Sequence, residues 1–121
     1  MFTTDLIVKY CGGEMWQTME PLVYIYEDVV YAVPAGHKTD FCSVPRLPFL
    51  YSWAGDTGEP AGTLHDWLYF SGIVPKEKAD LMFYCALRDC GVPPFKASMM
   101  YQGVKLFGGV AWNHYRERET K

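Results

Sequence analysis

Between Gly36 and Pro60 the chain carries Pro45, Pro48, Gly55, Gly58 and Pro60, and no long helix or strand survives that density of breakers. The segment separates two stretches with different hydrophobic periods. Before it, Leu6–Tyr10, Pro21–Tyr26 and Val29–Val33 are short runs rich in β-branched and aromatic residues. Glu27-Asp28 is a two-residue polar break between the last two, which predicts a hairpin. After it, the period becomes helical. Ala79, Met82, Phe83, Ala86, Leu87 and Cys90 follow the spacing of one helix face. The pattern predicts three helices: from Glu59 or Ala61 to Phe70, from Pro75 to Cys90, and from Pro93-Pro94 to about Tyr115. Val104–Trp112 in the third is apolar on most sides and calls for burial by its own domain or by a partner.

The expected fold is therefore α+β, an N-terminal antiparallel sheet or hairpin of about three strands followed by three helices. The sheet-to-helix switch falls inside Pro34 to Pro60. At 121 residues the chain, 1–121, reads as a single domain. Half of its residues are apolar and 17% are aromatic, so a core is available and disorder is excluded. A net charge of −3 gives no general attraction to nucleic acid. Arg116, Arg118 and Lys121 are interrupted by Glu117 and Glu119 and read as a solvated helix end. No run of about 18 apolar residues offers a membrane span, and no signal peptide is expected. No pair among Cys11, Cys42, Cys85 and Cys90 has zinc-knuckle spacing, and the thiols are expected to be reduced.

Chemistry concentrates on the first two helices. Ala61, Leu64 and Leu68 form the inward stripe of the first. His65 shares the face of Tyr69 one turn later, and Asp66 lies on the shoulder. Asp80 borders the apolar stripe of the second helix, and the short link from Ser71 to Val74 makes the two helices antiparallel neighbours. Asp80 can then fix one nitrogen of His65 and leave the other to take a proton. Tyr69 can hold Asp80, and Asp66 can hold a cation or a water. The same residues also suit a hydrogen-bonded core histidine, a surface acid and a helix-first-turn acid. In the breaker segment, Asp40 is either an oxygen ligand or a turn former. Ser43 is either a nucleophile or a turn former, and Arg46 is a salt-bridge partner that pins the loop. His37 and His114 read as ordinary polar positions.

Val33-Pro-Ala-Gly36, Thr39-Asp-Phe-Cys-Ser-Val-Pro-Arg46, His65-Asp-Trp-Leu-Tyr69 and Ala79-Asp80 together resemble an uncharacterised family of tailed-phage and prophage proteins known only as a domain of unknown function. The resemblance runs from the second predicted strand to Phe107-Gly108 and Ala111-Trp112. His37 departs from it, standing where the family tends to carry an apolar residue. The resemblance implies a phage source and no particular reaction. More locally, His65-Asp66-x-x-Tyr69 followed by Asp80 and Phe83 resembles the paired helices of phospholipase A2 enzymes. That likeness implies His65 as the base, Asp66 as a calcium ligand, Asp80 as the group orienting His65, and Tyr69 as its support. Leu68 stands where the secreted enzymes place a cysteine, and Gly55-Asp56-Thr57-Gly58 only poorly matches their calcium loop.

Two functions are expected from these residues. The first is a virion component at the tail tip or baseplate, made in the host cytoplasm, whose partners are other phage structural proteins. Four tryptophans and nine tyrosines exceed the needs of so small a core and suit interfaces. The alternative is a small hydrolase, assisted by calcium or another divalent metal, acting on host envelope lipid or another ester or amide. A cytoplasmic role against host defence is a third possibility that no residue singles out. Loss of Asp80 is expected to cost more stability than loss of Asp66.

Overall fold

In the computed structural model, residues 1–13, 15–39 and 59–119 are described, with side chains as far as residue 117. Among the described residues five strands precede four helices, the expected α+β order. β1 (Val8–Tyr10), β2 (Trp16–Thr18) and β5 (Lys38–Thr39) form an antiparallel sheet in the order β1-β2-β5. β3 (Leu22–Tyr26) and β4 (Val29–Val33) form a separate hairpin. Glu27 and Asp28 both take positive φ, 50° and 64°. That is the turn whose twist matches two antiparallel strands. β2 and β5 are additions to the expected strands. Both are very short, and a strand of two or three residues has no readable period.

The helices are α1 (Glu59–Ser71), α2 (Lys76–Asp89), α3 (Pro94–Phe107) and α4 (Gly109–Glu119). The hairpin packs on α1, α1 on α2, and α2 on α3. Leu22, Tyr24, Tyr31 and Val33 from the hairpin meet Ala61, Leu64 and Leu68 of α1 and Met82, Phe83 and Leu87 of α2 in one core. The predicted stripes of α1 and α2 are thus the buried ones. α1 ends at Gly72, whose φ of 65° closes the helix with a bond from its N–H to Leu68 O at 3.0 Å.

The third predicted helix is two. The break falls at Gly108, where a methyl group would lie 2.5 Å from the Tyr69 hydroxyl and would also collide with the Val104 carbonyl. Close approach of Tyr69 therefore requires glycine there. Lys76 adds to the break by donating to the carbonyls of Val104 (3.3 Å) and Lys105 (3.4 Å), groups at the end of α3. The apolar centre of that segment is also not buried as a whole. Val104 is enclosed, whereas Leu106, Phe107 and Val110 are exposed.

Arg116 is not a solvated end. Its guanidinium stacks 4.4 Å from the Trp112 ring centroid and donates to Tyr69 O (2.7 Å) and Phe70 O (3.0 Å), capping the last turn of α1. No helix among the described residues is long and apolar enough to cross a membrane.

Gly108→Ala is expected to destabilise the protein by about 1–3 kcal/mol, since overpacking forces side-chain and backbone shifts. Gly109→Ala, where a methyl meets nothing within 4 Å, is expected to be neutral or better. Urea unfolding of the two variants checks the contrast.

Candidate functional site

α1 and α2 run side by side because the connection from Gly72 to Pro75 is short, and this brings Asp80 against α1. His65 Nε2 lies 2.9 Å from Asp80 Oδ1, and the Tyr69 hydroxyl donates to the same oxygen at 2.7 Å. Lys76, one turn before Asp80, donates to Oδ2 at 2.9 Å. His65 is only 2% exposed and Asp80 is equally buried. The imidazole is packed between Tyr69 and Phe83, with ring centroids 4.3 and 4.5 Å away.

Asp80 titrates below its ordinary range. Burial pushes the carboxyl up, but hydrogen bonds from His65, Tyr69 and Lys76 outweigh that and favour the anion. An ionised carboxylate only accepts, so the His65 Nε2 must carry the proton. In the neutral ring the remaining nitrogen, Nδ1, is the accepting side. This is the orienting half of a general-base pair, and equally a rigid polar tie between two helices.

The shoulder position expected for Asp66 is not open. Asp66 is buried, and its Oδ2 lies 2.9 Å from His37 Nε2. Tyr115 of α4 makes a longer contact to Oδ1, 3.4 Å. His37, read from sequence as an ordinary polar position, is thus an inward residue. Its backbone is fixed as well: its N–H donates to Thr18 Oγ1 (2.9 Å) and its carbonyl accepts from Thr18 N–H (2.9 Å). The ring stands edge-on to Trp67 at 5.3 Å. One imidazole therefore joins the three-stranded sheet to α1.

Among the described residues, one Asp66 oxygen accepts from His37 and the other faces Tyr115; Asp40, the other oxygen ligand expected, lies outside them. Among the described residues no group of three His, Cys, Asp or Glu side chains is placed to hold a metal ion. Asp40, Ser43 and Arg46 lie outside the described residues, as do Cys42 and the Gly55–Gly58 stretch. His65, Tyr69 and Asp80 come together as expected. Lys76 was missed, although its place four residues before Asp80 is a helix-pair spacing.

The burial of both carboxylates changes the expected ranking of Asp66 and Asp80. Removal of either leaves a histidine unpaired, and each Asp→Ala substitution is expected to cost about 3–5 kcal/mol. Thermal melts of the two variants check this. The pH dependence has a definite sign. The folded-state pKa of Asp80 is below its unfolded value, so protons favour unfolding. The stabilisation is complete above the unfolded value, about 4, and is lost as pH falls through the folded value. Urea unfolding from neutral pH into acid should show the advantage of wild type over Asp80→Asn shrinking below about pH 4. A constant difference would contradict the assignment.

Comparison with curated proteins and comparison with solved structures both give no match. Residues 16–104, from β2 into α3, match a protein family that covers well over half of the chain. The matched span contains His37, His65, Asp66, Tyr69, Lys76 and Asp80, and the chain belongs to the family described as "Protein of unknown function (DUF1353)".

Proposed function

We propose that the chain is an interaction component of a tailed-phage particle, at the tail tip or baseplate, with other phage structural proteins as partners. The observation that carries this reading is the exposed apolar corner where α3 meets α4. Leu106, Phe107 and Val110 are exposed there by 69%, 59% and 82%. A cluster of large apolar side chains in water is the usual mark of a surface that meets another protein. The phage source rests on the resemblance of the Thr39–Arg46 and His65–Tyr69 motifs to phage and prophage proteins. The closed state of both His–Asp pairs fits this role, because neither pair is needed at the surface.

The experiment is mass spectrometry of purified particles from the phage or prophage that encodes the chain. The chain is expected at a fixed copy number. A Leu106→Asp/Phe107→Asp variant should fold normally and be missing from particles. Particles that lack the wild-type chain would sink the reading.

A second reading, a hydrolase acting on host envelope lipid or another ester or amide, is favoured by one specific observation. Asp80, held in place by Tyr69, lies at His65 Nε2, an arrangement that suits a general base accepting at Nδ1. Substrate must then reach a ring that is buried in this structure. Phospholipid-vesicle and soluble-ester assays, each with calcium and with chelator, test it on wild type and His65→Gln. This second reading expects hydrolysis that His65→Gln lowers by about a hundredfold or more. Equal rates in the two proteins would exclude it.

A further inference from the structure

The β3–β4 hairpin has two outer edges, and the fold treats them differently. On β3, the outward backbone groups are taken by the N-terminal residues. Thr3 N–H donates to Val23 O at 3.0 Å, Ile25 N–H donates to Met1 O at 2.8 Å, and the Met1 ammonium donates to Ile25 O at 2.7 Å. Val23 and Ile25 are the cross-strand partners of Ala32 and Val30. In an antiparallel ladder, opposite residues turn their backbone groups the same way, either both toward each other or both away. The amides and carbonyls of Val30 and Ala32 therefore point out from β4. Among the described residues none covers them, and Val30 is 63% exposed.

Natural edge strands are usually guarded by a lysine, a proline, a bulge or a covering segment. Among the described residues β4 has none of these. Val29-Val-Tyr-Ala-Val33 is uncharged, its residues are mostly strong strand formers, and its register against β3 is unbroken.

We infer that the β4 edge pairs with β4 of a second copy of this chain, antiparallel and two-fold symmetric about Tyr31. The strand is self-complementary in this register. Val30 of each copy faces Ala32 of the other, a large residue against a small one. Each such pair exchanges two backbone hydrogen bonds, so four bonds close the contact. Glu27 and Asp28 fall beyond the strand end, opposite Ala35 and Pro34 of the other copy, so no like charges meet. Pro34 has no N–H to give and ends the ladder. Two hairpins thereby become one four-stranded sheet, and sheets gain stability beyond two strands. The contact is isologous and closes on itself, giving a dimer and not a fibre. It is also small, so the association is weak and depends on concentration.

Sedimentation velocity of the full chain, from micromolar to millimolar concentration, tests the pairing. Wild type is expected to double in mass across that range. Hydrogen exchange at the Val30 and Ala32 amides should slow with it, while exchange at Tyr31, already bonded within the hairpin, changes less. A Val30→Lys/Ala32→Lys variant sets two ammonium groups directly opposite each other and is expected to stay monomeric. Val30→Lys/Ala32→Glu sets opposite charges face to face and should dimerise at low salt. Both side chains lie on the outer face of the hairpin, so wild-type melting temperatures should be kept. If the Lys/Lys variant fails to fold, the exchange measurement on wild type decides alone. A wild type that remains monomeric at millimolar concentration would overturn the proposal. So would a Lys/Lys variant that still dimerises, or exchange at Val30 and Ala32 that ignores concentration.

Discussion

The carboxylate of Asp80 accepts three donors, from His65 and Tyr69 on α1 and from Lys76 on its own helix. The helical half of the molecule is arranged around that point. The two contacts to α1 fix how α1 and α2 lie against each other. Lys76 continues the chain of bonds to the last carbonyls of α3, so the same anion also influences where α3 stops. Tyr69 reaches Asp80 only because residue 108 is glycine, and that glycine is where the third helix divides. Each of these features would be arbitrary alone. Together they follow from placing one negative charge, with three hydrogen bonds to it, between three helices.

Asp66 does for the sheet what Asp80 does for the helices. Its partner His37 is anchored by Thr18, so the three-stranded sheet is tied through one imidazole to the helix that carries His65. Two neighbouring residues of α1, His65 and Asp66, thus look in different directions and enter two different His–Asp pairs. This separates the chemistry open to each. His65 is held through Nε2 by Asp80, whereas Asp66 is engaged by His37 and Tyr115.

Much of this was legible in the sequence, for identifiable reasons. The hairpin over Leu22–Val33 and the α2 stripe were readable because their periods are long enough to count. The meeting of His65, Tyr69 and Asp80 followed from helical spacing plus a short connection. The division of the third helix was not readable, because Gly108 breaks it through a contact with Tyr69, thirty-nine residues earlier in the chain. The place of His37 was hidden for a similar reason. Its partner is on another element, and β5 is too short to show which way its residues point. Arg116 looked solvated because charges alternate around it, yet its contacts are with Trp112 and the end of α1.

The account turns on Asp80 being an anion that receives a proton-bearing His65 Nε2. Nitrogen-15 NMR of the histidine rings at neutral pH measures this directly. The account predicts that His65 is the Nε2–H tautomer, with a slowly exchanging ring proton that is lost in Asp80→Ala. A His65 found as the Nδ1–H tautomer, or one whose ring proton exchanges as fast as that of exposed His114, would contradict it.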